Sequence, residues 1–511
     1  MMVAAGMVSL LTGCATKAVY KEYGNLYAQG QYQAASALMR AEIGDTPEEF
    51  EENIGKGKYY LETLDIASAE LANGNYEESI AMFENAEKSL SERQDASAVG
   101  KGASQVGATL SNDNSLPYPI RDYDQLMMGS LKTVATLGAN KGEEAVTEIL
   151  RLNERARLIV EENEKAILKK QDAAAEADSA LAAEANGEGE NAEDGAEASE
   201  RNELAKKSVL EAFENEENKA KLDAYKAEAS QWEPYADYVS PYVPYLEGLV
   251  YLLAGETPSD YESAATAFRK CYGMSGASVV SNALSLAEKP DARNEKVFVI
   301  FENGLAPEKD ENNLDFVIPV THKGSVLMLY AGLSLPKLTE RPAAYSAFDI
   351  YSNGGMVGKT EEICSLDRVI GGEFKRELPG IIVRNAISAG IKTTINGLIS
   401  AAISEKNQGL GMLASIGMSA LQKGTTHADT RIWNSLPKNI QAAIVDKPAD
   451  GKLSFCVEGT TTSMLDVVIT QPGPAFVFIR VPTAGVVPAC FVFPSETVVS
   501  EPVAGSESVE Q

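Results

Sequence analysis

One short arrangement recurs along the first half of the chain and limits what that half can fold into: a turn glycine, then a tyrosine, then small and aromatic residues at helical offsets. In Gly74-Asn75-Tyr76-Glu77-Glu78-Ser79-Ile80-Ala81-Met82-Phe83-Glu84-Asn85-Ala86, the tyrosine, a small residue, Phe83 and Ala86 share one helical face. Small residues on that face let a second helix pack closely against the first. The same arrangement appears earlier in Gly30, Tyr32 and Ala35, opening a helix through Leu38 and Met39. It returns in Gly248, Tyr251 and Gly255, followed by Tyr261, Ala264, Phe268 and Cys271. A chain built this way predicts helices paired through short turns.

The pattern resembles tetratricopeptide repeats, helix-turn-helix units of about 34 residues. It departs from that family at Glu70, where an aromatic is usual, and in the spacing of Gly30 and Gly74, which are 44 residues apart. Degenerate helical pairs are therefore expected rather than a uniform solenoid. A further unit, Ala145 to Leu152, falls inside what reads as one helix from Tyr123 to about Lys170.

After Pro290 the period changes from helical to extended. Lys296–Phe301, Phe316–Val320, Val326–Tyr330, Leu465–Thr470 and Ala475–Val481 are β-branched and aromatic runs bounded by Gly, Pro and Asn, which is the signature of strands. In the last run Phe476, Phe478 and Arg480 alternate with Val477, Ile479 and Val481. Between the two strand groups, Val383, Ile387, Ile391, Ile395, Leu398 and Ala402 mark a helical face. Splitting strands around helices requires the first and last strands to pair at long range. The expected class is α+β: an N-terminal helical repeat domain followed by a mostly antiparallel β domain with a helical insertion.

This gives a helical repeat region over 14–170, an acidic insertion over 171–201, a second helical stretch over 202–290, the β domain in two parts at 291–379 and 426–495 around an insertion at 380–425, and a disordered tail at 496–511. Residues 171–200 contain ten Asp or Glu, eleven Ala and no Lys or Arg. Such a composition buries little apolar surface and cannot offset the entropy of ordering, so a mobile loop is expected there.

At the N-terminus, residues 1–13 form an apolar stretch too short to span a bilayer, ending in Leu11-Thr12-Gly13-Cys14. This resembles the lipobox of bacterial lipoproteins. The resemblance implies a signal peptide over 1–13, cleavage before Cys14, and anchoring in the bilayer by acyl chains on that cysteine, including palmitate. Ala15, in place of an Asp, implies the outer membrane, facing the periplasm. The stretch has no Lys or Arg, which points to initiation further upstream.

The net charge of −29 repels phosphate backbones, so no nucleic acid is expected as partner. Four cysteines follow Cys14, namely Cys271, Cys364, Cys456 and Cys490, and an oxidising periplasm would permit disulfides among them. With only two histidines and no CxxC spacing, no metal is expected, and the absence of a phosphate loop implies no cofactor.

His427, Asp429, Arg431 and Trp433 form the most site-like cluster, but no nucleophile elbow or paired-carboxylate spacing accompanies it. It is read as structural, with Arg431 stacked on Trp433 and neutralised by Asp429. Asn303-Gly304 is read as a turn needing positive φ. Together, the lipobox, the repeats, Phe301-Glu302-Asn303-Gly304-Leu305-Ala306-Pro307, and Ala428-Asp429-Thr430-Arg431-Ile432-Trp433-Asn434-Ser435-Leu436-Pro437 resemble an uncharacterised family of bacterial lipoproteins with repeat-containing N-terminal halves. The expectation is a non-enzymatic, membrane-anchored scaffold that binds an envelope protein through its helices. The rival is a periplasmic hydrolase with a site near His427.

Overall fold

A computed structural model describes residues 18–99, 118–173, 207–208, 211–212, 215–235, 240–322, 325–382, 385 and 428–495. Cys14, His427, the tail from 496, nearly all of the acidic segment and the glycine-rich part of the helical insertion lie outside the described residues.

The first half is built of helical hairpins. Helix α1 (18–28) turns into α2 (Tyr32–Ile43), which is followed by the short α3 (Pro47–Asn53). Next come α4 (Tyr60–Ala72) with α5 (Tyr76–Val99), and α6 (Asp122–Gly138) with α7 (Gly142–Ala173). After α8 (Glu216–Ala229), α9 (Tyr242–Ala254) pairs with α10 (Pro258–Ser275), and α11 (Ser278–Glu288) closes the series. Gly30 and Gly74 sit in the turns with φ of 74° and 83°, the left-handed conformation that reverses a helix in few residues. The single helix expected from Tyr123 to Lys170 is in fact two. Asn140, with φ of 60°, supplies the left-handed turn that glycine supplies elsewhere, because Asn tolerates that region better than other side chains.

The small residues of the hairpins mark real contacts. A methyl on Gly248 would lie 2.6 Å from the Phe268 ring, and one on Gly138 would lie 2.7 Å from Tyr76. Ala35, Phe83, Ala86 and Phe268 are fully buried, Tyr32 and Tyr251 are nearly so, and Tyr76 is partly buried against the same core. Glu70, at the position that departs from the repeat pattern, accepts from Ser36 Oγ at 2.5 Å and Asn75 Nδ2 at 2.7 Å, so a polar seam replaces an aromatic contact.

The second half contains β1 (Lys296–Asn303), the long hairpin β2 (Glu308–His322) and β3 (Ser325–Thr339), then β4 (Phe348–Ser352), β5 (Gly355–Lys359) and β6 (Glu361–Ser365). A helix, α12 (366–382), follows β6 directly, so helix begins well before residue 380. Strands β7 (Asn439–Asp446), β8 (Lys452–Val457), β9 (Ser463–Val468), β10 (Ala475–Val481) and β11 (Ala489–Phe493) complete the chain.

The central sheet has the order β11-β10-β1-β7-β6, with β1 parallel to β10 and antiparallel to β7. The long-range pairing expected from the split strands is thus present. A second sheet, β5-β4-β8-β9, lies against one face of it. Alternation decides which residue faces which layer. Phe298, Ile300, Phe476 and Phe478 join the helices in one continuous core, whereas Val297, Val299, Phe301, Val477 and Ile479 meet Phe348, Leu453 and Phe455 of the second sheet. The layers run helices, sheet, sheet.

Carboxylates from the β half fix the helices in place. Glu373 of α12 accepts the Asp122 and Tyr123 amides at 3.0 and 3.1 Å at the start of α6. Glu361 of β6 does the same for Ser278 and Val279 at the start of α11, at 2.9 and 3.0 Å. Each places negative charge at the positive end of a helix. The cysteines Cys271, Cys364, Cys456 and Cys490 are all free thiols, and no disulfide joins any two of them.

Candidate functional site

The two motifs singled out in the sequence meet at the ends of β1 and β10. Gly304 adopts φ of 68°, as its place after Asn303 led one to expect, and donates its amide to Val481 O at 2.9 Å. A side chain there would press on Ala343, Lys438 and Pro342 within 3.2 Å. Asn303 uses both ends of its amide on one neighbour: Oδ1 accepts from Tyr345 N at 3.1 Å and Nδ2 donates to Tyr345 O at 2.7 Å. The motifs are stitched together by Ala306 N to Leu436 O at 2.9 Å and Lys438 N to Asn303 O at 3.0 Å.

Two arginines clamp this junction from opposite sides. Arg480, buried within the core, donates to Gly304 O at 2.6 Å and Ser435 O at 3.0 Å. Arg341 donates from Nε to Ala306 O and from Nη2 to Asn434 O, the latter at 3.2 Å. Each guanidinium therefore bridges the first motif to the second. Neither was singled out from the sequence, although Arg480 carried a signal: it shares a strand face with Phe476 and Phe478.

In the second motif, Arg431 binds Asp429 through a fork, Nε to Oδ1 at 2.9 Å and Nη2 to Oδ2 at 3.0 Å. Burial works to raise the Asp429 pKa, but the hydrogen bonds from Arg431 and the nearby charges of Lys309 and Arg431 hold it below the usual carboxylate range. The ion pair expected from sequence is present. The expected stacking partner is not: the Arg431 guanidinium lies over Tyr118, 5.9 Å from its centroid. Trp433 points into the core instead, where Nε1 donates to Ser68 Oγ at 3.1 Å and the ring meets Phe83 edge-on at 6.4 Å. A tryptophan carrying its own donor is most stable where an acceptor is buried, and α4 supplies one.

Beside the junction opens a cleft of about 760 Å³. One wall is α1, through Tyr20, Lys21 and Gly24; another is the second motif, through Thr430, Arg431, Ile432 and Asn434. Leu305, Glu308, Lys309, Asp310, Arg341 and the segment 482–484 line much of the rest, so two carboxyl groups stand beside the cations of the cleft. Helix α1 is held by Tyr20 OH to Glu62 Oε1 at 2.6 Å and by Tyr23 OH to the Asp65 carbonyl at 2.7 Å. Among the described residues, those that line the cleft include no cysteine, serine or histidine. Cys364 is remote from the cleft and buried against Ser240, and burial pushes its thiol up to about 12, which makes it a poor nucleophile. Among the described residues, no three His, Cys, Asp or Glu side chains are placed to hold a metal ion. None of the described helices is long and apolar enough to cross a membrane.

No protein-family model, curated protein or solved structure matches the chain.

Proposed function

We propose that the protein is a non-enzymatic scaffold of the bacterial envelope, anchored through acylated Cys14 in the outer membrane and facing the periplasm, whose tetratricopeptide-like hairpins dock an envelope protein. The observation that carries this reading is the division of labour in the helical half. The inner faces of the hairpins are used against the central sheet, while α7 leaves Leu150 and Leu158 exposed on its outer side, at 55% and 46%. Eight residues apart on a helix, they share one face. They are flanked by charged pairs such as Arg157 with Glu154 and Glu161, at 2.6 and 2.5 Å, a polar rim of the kind that surrounds protein contacts.

Two experiments test the reading. A photo-crosslinking residue at Leu158 is expected to trap one discrete envelope protein in living cells, and the same residue at Ser454 on the outer sheet is expected to trap none. Indiscriminate or absent adducts at Leu158 would end the docking proposal. Cys14→Ser is expected to abolish palmitate labelling and processing; label that persists would remove the anchor. The hydrolase alternative is favoured by the closeness of His427 in sequence to the cleft residues Thr430 and Arg431. It requires turnover of an ester, peptide or glycan that His427→Ala eliminates without changing the melting temperature.

A further inference from the structure

We propose that the cleft between α1 and the two motifs is a binding site for a phosphate-bearing ligand, with Arg341 and Lys21 as its principal contacts. The proposal rests on the anchor reading only for the source of the phosphate, not for the chemistry of the site.

The argument starts from Arg341. Its guanidinium is tied to the carbonyls of Ala306 and Asn434, which are neutral acceptors, and no carboxylate among the described residues lies within ion-pair distance of it. Its Nη1 group has no hydrogen-bond partner among the described residues and is not among the buried unsatisfied groups. Burial lowers its pKa to about 10; the negative charge of Glu308 works against that lowering, the positive charge of Arg480 adds to it, and Asp367 opposes it. The net lowering shows that these carboxylates, neither of them in contact with the guanidinium, compensate its charge only in part. A cation removed from water without a counter-charge is costly, and an incoming anion offsets that cost. The guanidinium is also pre-organised: two carbonyls fix its plane, so little rotamer freedom remains to be lost on binding.

The rest of the cleft fits the same ligand. Lys21 on α1 lines the site with no ion-pair partner among the described residues, and Lys309 and Arg431 line it as well, which leaves the cations in excess of the carboxyl groups of Glu308 and Asp310. Arg431 is neutralised by Asp429 and contributes donors more than net charge. Thr430, Asn25 and Asn434 add neutral polar groups, while Leu305, Ile432 and Pro342 give apolar wall. A volume of about 760 Å³ exceeds what a bare phosphate fills. It suits a phosphate carried on a polyol or sugar, since ligand clefts of roughly 300–1,000 Å³ hold small molecules of that size. On a chain with a net charge of −29, recognition of this kind acts only at short range, inside a Debye length of roughly 8–10 Å.

The anchor suggests a source. Tyr20 and Lys21 follow Cys14 by six and seven residues, and a fully extended chain spans at most about 3.6 Å per residue. With Cys14 acylated, the mouth of the cleft stays within roughly 25 Å of the bilayer surface. A phospholipid headgroup is then within reach, as is a free phosphorylated polyol in the periplasm.

The chain from Ala15 onward keeps every described element and carries no acyl group, so it isolates the cleft. Titration calorimetry with glycerol phosphate and with inorganic phosphate is expected to show binding, tighter for glycerol phosphate. Lys21→Glu, an exposed substitution, should weaken it about tenfold, the loss of roughly one charge-assisted contact. Arg341→Gln should abolish it and Arg341→Lys should restore part of it. Co-sedimentation with phosphatidylglycerol vesicles but not phosphatidylcholine vesicles would assign the ligand to a lipid headgroup; binding of soluble phosphates alone would assign it to a free phosphate. No binding of either probe, or binding unchanged in a correctly folded Lys21→Glu chain, would overturn the site. Failure of palmitate labelling would leave these results standing, because none of them uses the anchor.

Discussion

Gly248 and Phe268 offer a quantitative test of how the hairpins pack. Phe268 is fully buried on α10, and its ring lies where a methyl on Gly248 of α9 would come within 2.6–2.8 Å of three ring carbons. The ring cannot easily retreat, since Tyr245 meets it edge-on at 5.7 Å. Gly248→Ala gains about 1 kcal/mol of helix propensity but overpacks the seam by about 1–3 kcal/mol, for a net loss of roughly 0–2. Phe268→Ala alone should cost about 3–5 kcal/mol through lost transfer energy and the cavity left behind. In the double variant the new methyl enters the vacated space without a clash and keeps the propensity gain. Its cost should therefore fall below the sum of the single costs by about 1–3 kcal/mol, the overpacking relieved. Urea unfolding followed by tryptophan fluorescence gives the three midpoints at common slope. Additivity within about 0.5 kcal/mol would mean that glycine and ring do not touch, and the packing of α9 on α10 would have to be redrawn.

The pH dependence of stability follows from buried carboxyls: burial pushes Asp124, Glu302 and Glu373 up to about 7 and Asp367 up to about 6, and raises Asp65 well above the usual carboxylate range. Unfolded, these groups titrate near 4, so between about pH 4 and 7 the native state holds more protons and stability falls as pH rises. The melting temperature should accordingly drop between pH 5 and 7.5, Asp124→Asn should flatten the slope, and a rise across that window would contradict the assignment. Arg431→Ala strands the buried Asp429 carboxylate and should cost about 2–3 kcal/mol, while Arg431→Lys, which keeps the charge but loses the fork, should cost about 1. If the cluster is structural, His427→Ala should shift the urea midpoint by no more than about 0.5 kcal/mol, and a larger loss would give that histidine a packing role.

The fold was legible where period and turn chemistry agreed. Phe476 and Phe478 alternate with Val477 and Ile479, and the two sets face different layers, as a strand buried on both sides requires. The turns at Gly30 and Gly74 were legible because glycine is the usual residue for positive φ. The turn at Asn140 was not: the helical period runs through it from Leu137 to Ala145 and Ile149, and asparagine is also tolerated inside helices. The Asp429–Arg431 pair was legible because its partners are two residues apart. The acceptor for Trp433 was not, since Ser68 lies in another helix, 365 residues away. The cleft was hidden for the same reason. Its lining residues come from α1, the two motifs, the start of β2, the segment after β3 and the segment after β10, and only the assembled fold brings those together.

Arg480 shows how the layers and the cleft depend on each other. A strand face that carries two phenylalanines and an arginine ordinarily ends in water, with the arginine at the wet end. Here α1 covers that end, and Tyr27 lies 5.6 Å below the guanidinium. The arginine is therefore buried and must find acceptors in the protein. It finds them in backbone carbonyls of Glu302, Gly304, Val481 and Ser435, at the last paired level of β1 and β10, where the two motifs turn away. Its one carboxylate neighbour, Glu302, lies 3.8 Å off, and burial has pushed that acid's pKa up to about 7. Near neutrality the positive charge is thus only partly neutralised from inside. Arg341, bonded to the same carbonyl-rich turns, adds a second positive charge with no carboxylate in contact among the described residues. The geometry that joins the two motifs brings both arginines to one end of the central sheet, and the cleft opens beside them with Lys21 and Lys309 set against Glu308 and Asp310.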